Sequence, residues 1–231
     1  MEIRFPHVQN QILLMGIRFS LMQNRFCWNG KRSRRPVRGV CVFGADVLYW
    51  QKMMQNDFRF CPQCGGERVR NVRMRAWVCA DCGFELYNNV ATAVGLVICD
   101  ADGRVLFERR GKEPRKGFLA FPGGFVDPDE SAEAAAFREC EEETGVRPGN
   151  LRYLCSFPNT YAYKDIVYKT CDLFFAAELP AGAELRAQAG EVTAFEYRFV
   201  RNEQELAELP LAFESARKTL AVWLERKSRN R

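Results

Sequence analysis

Histidine is almost missing from this chain: its one copy, His7, lies far from every motif described below. An imidazole base, nucleophile or metal ligand is therefore excluded from the motif-bearing part of the sequence. Long hydrophobic runs are missing as well. No stretch approaches the roughly 18 uninterrupted apolar residues that span a bilayer, and no membrane partner is expected. Strong charge imbalance is also lacking. A net charge of +5 suits an attraction to nucleotides or nucleic acid but selects neither. There is no internal repeat. What is present is enough apolar material, 47% of 231 residues, for one moderate domain with a real core and a smaller module.

The ten cysteines divide into two groups. Cys27, Cys41, Cys99, Cys140, Cys155 and Cys171 are scattered, mostly in apolar segments. That usage suits a reducing, cytoplasmic compartment rather than a disulfide framework. The remaining four form two knuckles, Cys61-Pro-Gln-Cys64 and Cys79-Ala-Asp-Cys82, separated by fourteen residues. Glycines follow each knuckle and let backbone amides turn toward sulfur. Two Cys-x-x-Cys pairs at this separation suit a tetrahedral Zn²⁺ site of four thiolates, closed and structural because no further ligand is offered. Four buried free cysteines, or a redox pair, are the competing readings. Between the knuckles Arg68, Arg70, Arg73 and Arg75 with Trp77 form a basic ribbon. It suits contact with nucleic acid, although a solvated hairpin face packed on the next domain is preferred.

The chain is organised around Gly123 to Val146. A glycine loop, Gly123-Gly124, leads into a helix that Ser131 caps and Gly145 terminates, with Ala134, Ala135 and Ala136 favouring helix between them. Glu139, Glu142 and Glu143 stand at i, i+3 and i+4 and share one helical face. That face lacks the lysines that an ordinary solvated helix would intersperse. A hard divalent cation turns the repulsion among three carboxylates into binding, since Mg²⁺ takes carboxylate oxygens, water and substrate phosphates. A glutamate-rich surface helix is the plain alternative.

Residues 1–57 pattern differently. Gln, Asn, Arg and aromatics mix without a period, and Lys31, Arg32, Arg34, Arg35 and Arg38 lie almost together. The segment reads as a poorly ordered basic extension, an organelle-targeting peptide, or a start-site artefact with Met53 or Met54 as the initiator; the third is favoured. Residues 58–88 hold the zinc ribbon and residues 89–231 the larger domain. In that domain strands are expected over Val90–Cys99 and Arg104–Glu108, around an Ala101-Asp102-Gly103 turn. Arg109–Gly117 reads as a charged loop and Leu119–Phe121 as a short strand. Strands Leu151–Phe157 and Ile166–Ala177 are expected around a Pro158-Asn159-Thr160 turn. A loop over Ala181–Ala189 and a last strand, Glu191–Val200, follow. Helices over Glu203–Glu208 and Leu211–Lys227 close the chain, the latter directing Phe213, Ala216, Leu220, Trp223 and Leu224 toward the sheet. The class is α/β, an α/β/α sandwich preceded by a small zinc ribbon.

Gly124, Glu130 and the run Arg138-Glu139-Cys140-Glu141-Glu142-Glu143-Thr144-Gly145-Val146 resemble a complete Nudix box, with Cys140 at a position that is usually aliphatic. The resemblance covers Val90 to the C-terminus and implies a Nudix fold. It implies Mg²⁺ or Mn²⁺ held by Glu139, Glu142, Glu143 and the Gly123 carbonyl, with a homodimer as the assembly. Glu130 and Arg138 match the ion pair that fixes loop against helix, a supporting role shared with Gly124 and Gly145. The implied reaction is hydrolysis of a nucleoside diphosphate linked to another moiety.

A ribbon before the box resembles the NADH pyrophosphatases. Of their Ser-Gln-Pro-Trp-Pro-Phe-Pro signature only the Ser and one Pro line up in Ser156-Phe157-Pro158-Asn159-Thr160-Tyr161-Ala162-Tyr163-Lys164, which speaks against NADH; the Thr170-Cys171-Asp172-Leu173-Phe174-Phe175 strand and the Pro122-Gly-Gly-Phe-Val-Asp127 loop more closely resemble zinc-ribbon members described as ADP-ribose-pyrophosphatase-like. Arg109 and Arg110 suit a phosphate clamp or exposed loop charges. Tyr161 and Tyr163 suit adenine stacking or a half-buried strand pair. Glu191 suits an extra metal ligand, a water-activating base or a plain strand end. The alternatives to a pyrophosphohydrolase of ADP-ribose-like or NADH-like compounds are an NAD-capped RNA hydrolase and a non-catalytic nucleotide-sensing module.

Overall fold

A computed structural model describes residues 58–164 and 166–229. The expectations for residues 1–57 lie outside the described residues. β1 (Val69–Val72), β2 (Ala76–Cys79) and β3 (Glu85–Tyr87) form an antiparallel meander. Arg68, Arg70, Arg73 and Arg75 are exposed on it. Trp77 turns inward instead of joining that basic face: it is 5% exposed and meets the Phe58 ring edge-on at 4.7 Å.

The larger part holds β4 (Ala91–Ile98), β5 (Val105–Arg110), β6 (Leu119–Ala120), α1 (Ala132–Thr144), β7 (Gly149–Tyr163), β8 (Ile166–Glu178), β9 (Val192–Arg198), α2 (Glu203–Glu208) and α3 (Glu214–Arg229). One sheet runs β4-β8-β7, with β4 parallel to β8, and a second runs β6-β5-β9. Strand alternation divides the core into two layers. Val97, Val105, Phe107 and Phe174 pack with Ala216 and Leu220 of α3. Val94, Leu96, Ile98, Leu106 and Phe175 pack with Ala135, Ala136 and Cys140 of α1. The sheets thus lie between helices, as a Nudix α/β/α sandwich requires. Cys140 stands in the aliphatic role because it is wholly buried on the core face of α1.

The helix over the box has the expected ends. The Ser131 hydroxyl accepts from the Ala134 amide, and Gly145 adopts φ 74° at the C-cap. Three expectations are corrected. Pro158-Asn159-Thr160 is not a turn: β7 runs through it, paired with Cys171, Thr170 and Lys169, and the chain reverses after Tyr163. Proline is tolerated because β7 is the edge of its sheet and needs no donor on its outer side. Arg109 and Arg110 end a strand rather than begin a loop. Leu211 and Phe213 precede α3, because the segment Pro210–Ala212 pairs with Leu119 through two backbone hydrogen bonds of 2.9 and 2.8 Å. Phe213 therefore leaves the helical stripe. Among the described residues no helix is long and apolar enough to cross a membrane.

Candidate active site

The glycine loop lies along β4 as if it were a further strand. Val94 N–H donates to the Gly124 carbonyl at 2.8 Å and Leu96 N–H to the Pro122 carbonyl at 2.9 Å. No side chain fits in this path. A Cβ on Gly123, whose φ is +146°, would stand 2.2 Å from the Val94 carbonyl oxygen; one on Gly124 would stand 2.6 Å from the Glu139 carboxylate. The loop therefore presses its backbone against the acidic face of α1, and the Gly123 amide donates to Glu143 Oε2 at 2.7 Å.

Arg138 locks this arrangement. Its Nε and Nη2 donate to the two oxygens of Glu130 at 2.9 and 2.8 Å, and Nη2 also reaches the Phe125 carbonyl at 3.0 Å. Glu130 in turn accepts from the Asp127 amide at 3.1 Å. The Arg138 guanidinium holds the Glu130 carboxyl below its usual range. Arg138 Nη1 bonds Glu139 at 2.8 Å and Glu142 at 3.3 Å.

Glu139, Glu142, Glu143, Gly123, Gly124, Glu191, Arg110 and Tyr161 all line one cleft of about 300 Å³. Glu191 sits on its rim, joined to Lys112 at 2.5 Å. The exposures of the glutamates are graded. Glu142 is open to solvent, Glu139 is mostly covered, and Glu143 is 5% exposed. Burial raises the Glu139 and Glu143 carboxyls above their usual range, and for Glu143 the charge of Glu108 adds to the effect.

Glu108, on β5, is a residue that sequence reasoning missed. It is 2% exposed and its Oε2 has no hydrogen-bond partner among the described residues. Burial pushes its carboxyl up to about 7. A buried carboxylate oxygen without a donor, beside Glu143, is the kind of ligand oxygen that a hard cation takes. In the sequence Glu108 follows Val105-Leu-Phe, where a strand-end charge and a buried one look alike.

Arg109 and Arg110 part company, because neighbouring strand residues point to opposite faces. Arg109 turns from the cleft and bonds Glu196 through Nε at 2.9 Å and the Gly117 carbonyl at 2.6 Å. It is not placed for a phosphate clamp. Arg110 lines the cleft, donates from Nε to the Pro114 carbonyl at 2.9 Å, and lies over the Phe213 ring at 5.1 Å. Its Nη2 is buried without a partner. Tyr161 stacks on Phe213 at 5.7 Å and meets Phe125 edge-on at 5.3 Å. The Tyr163 side chain lies outside the described residues. Phe125, Phe213, Lys112 and Gln188 join the cleft with no signal in the sequence.

The four knuckle sulfurs lie within 4.8 Å of one another, the one cysteine or acidic group gathered so tightly among the described residues. The Cys61–Cys82 and Cys64–Cys79 Sγ separations are both 3.7 Å. A tetrahedral site with Zn–S of about 2.3 Å calls for sulfurs about 3.8 Å apart. Amides of Gly66 and Asp81 point at Cys64 and Cys79 sulfur at 3.4 Å. The cysteines therefore fit a structural zinc.

A family model described as NUDIX domain matches residues 90–223. The NAD-capped RNA hydrolase NudC of Deinococcus radiodurans is 31% identical over 182 residues, 78% of this chain and 61% of that protein. The NAD-capped RNA hydrolase NudC of Pseudomonas syringae pv. tomato is 29% identical over 175 residues, 68% of this chain and 60% of that protein. The chain spans about three fifths of the length of these curated relatives. Among solved structures, a NUDIX hydrolase from Nitrosomonas europaea superposes with a TM-score of 0.56 at 24% identity, covering 75% of this chain and 94% of that one. The likeness extends to the fold.

Proposed function

The chain belongs to the NUDIX domain family, and from that membership we propose that it hydrolyses the pyrophosphate bond of a nucleoside diphosphate linked to another group, releasing AMP from an adenine nucleotide. The observation that carries this reading is the cleft shared by Glu139, Glu142, Glu143 and the Gly123-Gly124 backbone. Those three carboxylates and the Gly123 carbonyl would hold Mg²⁺ or Mn²⁺. Such an ion neutralises diphosphate charge and makes water a stronger nucleophile.

The chain's own groups do the rest. Arg110 offers its free Nη2 hydrogens to a phosphate oxygen. Glu191, on the rim, takes the proton of the attacking water. Arg138 and Glu130 keep loop and helix in register, as a partly buried charged pair does even where it adds little stability. Tyr161 provides an aromatic wall for a base. Zinc at Cys61, Cys64, Cys79 and Cys82 is part of the proposal, as are a cytoplasmic setting, suited by the cysteine usage, and a homodimer, implied by the resemblance.

ADP-ribose-like and NADH-like compounds both fit this reaction. NAD-capped RNA is a second reading, favoured by the names of the relatives and by the exposed arginines of the ribbon. The test is a panel of ADP-ribose, NADH, FAD, diadenosine polyphosphates and NAD-capped RNA assayed with Mg²⁺ and with Mn²⁺. AMP release should stop with EDTA, return on adding Mg²⁺, and fall sharply in Glu142→Gln. Tight binding without turnover under either ion would instead make the protein a sensor.

A further inference from the structure

In the same cleft as the box, the wall built by β8 and the start of α3 carries a buried polar trio. Asp172 is 7% exposed, Thr170 3% and Ser215 1%, and all three line the cleft. Thr170 Oγ1 donates to Asp172 Oδ1 at 2.6 Å, and Ser215 Oγ donates to Oδ2 at 2.7 Å. Among the described residues no cation pairs with this carboxylate. A charge buried with only two neutral donors costs stability. Latching β8 to α3 does not call for one, because an apolar pair would pack there at less cost.

The hydrogen-bonding inventory of the trio is one-sided. Each hydroxyl has one proton, and both protons are spent on Asp172. The wall therefore presents lone pairs only, and its carboxylate is held from both sides and cannot rotate to suit a different ligand. A phosphate or carbonyl oxygen is repelled here; an N–H group is accepted. The rings of Tyr161 and Phe213, stacked at an interplanar angle of 29°, line the same cleft. Phe213 is covered by Arg110 as well, so Tyr161 is the ring that offers aromatic surface to a base carrying such an N–H group.

We propose that Asp172, held by Thr170 and Ser215, is the specificity-determining residue of the cleft and selects a nucleobase that carries an amino group. This rests on the hydrolase reading above and adds the end of the substrate that the box does not address. By repelling phosphate, the same carboxylate orients the molecule so that its diphosphate lies toward Gly123 and Glu142.

The test compares ADP-ribose with the analogue in which purine riboside replaces adenosine, so that only the amino group is deleted. The full chain with zinc retained is assayed in Mg²⁺. The wild type should favour the amino-bearing substrate in kcat/KM by about 10- to 100-fold, the range for a hydrogen bond to a charged group. Asp172→Leu should bring that ratio close to one, and Ser215→Ala, which frees one carboxylate oxygen, to an intermediate value. A wild-type ratio near one overturns the proposal. So does an Asp172→Leu variant that slows both substrates equally, which is what a merely structural latch predicts. If Asp172→Leu does not fold, the wild-type ratio and Ser215→Ala decide. If the wild type cleaves neither compound, the hydrolase reading fails separately. Calorimetric binding of ADP against purine riboside diphosphate then decides for Asp172, equal affinity overturning its role and a tenfold preference supporting it.

Discussion

Replacing Gly123 and Gly124 by alanine, one at a time, should separate folding from catalysis within two adjacent residues. The added Cβ at 123 meets backbone, with the Val94 oxygen at 2.2 Å and the Gly95 Cα at 2.9 Å, and φ stands at +146°. Neither neighbour can move without breaking the pairing of the loop with β4. Overpacking of this kind costs about 1–3 kcal/mol, and a strained φ about 1–3 kcal/mol more. For a chain of this size 1 kcal/mol is worth roughly 2–4 °C, so Gly123→Ala should melt about 10 °C or more below the wild type.

The nearest neighbour of a Cβ at 124 is the Glu139 carboxylate, at 2.6 Å, the far end of a side chain that can swing out. Swinging breaks its 2.8 Å bond to Arg138 and removes an oxygen from the cleft, but strains little else. Gly124→Ala should therefore keep its melting temperature within about 3 °C. It should lose about a hundredfold or more in kcat/KM, the effect expected when a catalytic group is displaced by about 1 Å. Differential scanning fluorimetry and AMP release measure the two quantities. Full activity in Gly124→Ala, or equal melting of the two variants, would refute the reasoning.

Other perturbations discriminate between parts of the structure. Burial lifts Glu108 to about 7, so the native state holds a proton that the unfolded chain releases at lower pH. With Mg²⁺ omitted and zinc retained, the contribution of Glu108 to stability should be fully present below about pH 4.5 and lost as pH rises through 7, by roughly 1–3 kcal/mol. Glu108→Gln should flatten that slope in denaturant titrations, and a slope unchanged by it would exclude Glu108 as its source. Arg110→Ala should raise KM about tenfold, since charge-assisted hydrogen bonds are worth roughly 1.5–3 kcal/mol. Arg109→Ala should leave KM within about twofold by the same scale, because its Glu196 partner keeps Arg198 at 2.5 Å. Cys64→Ser should lower bound zinc below one equivalent in elemental analysis and loosen the meander of residues 69–87, while the core under α1 and α3 keeps its amide protection. No residue of the meander belongs to that core.

What the sequence by itself determined is local. The caps at Ser131 and Gly145, the i, i+3, i+4 face of Glu139, Glu142 and Glu143, and the two cysteine knuckles are properties of short stretches with fixed spacing. Helical geometry and metal-ligand geometry constrain them without reference to the rest of the chain. Only the tertiary structure decided which distant residues join them. Glu108 meets Glu143 because β5 passes beneath α1. Asp172 meets Ser215, 43 positions away, because α3 begins where Phe213 leaves the β6 pairing. Arg109 and Arg110 separate because a strand, not a loop, carries them. β7 continues through Pro158 because it is a sheet edge, which is a matter of strand order and not of the residues themselves.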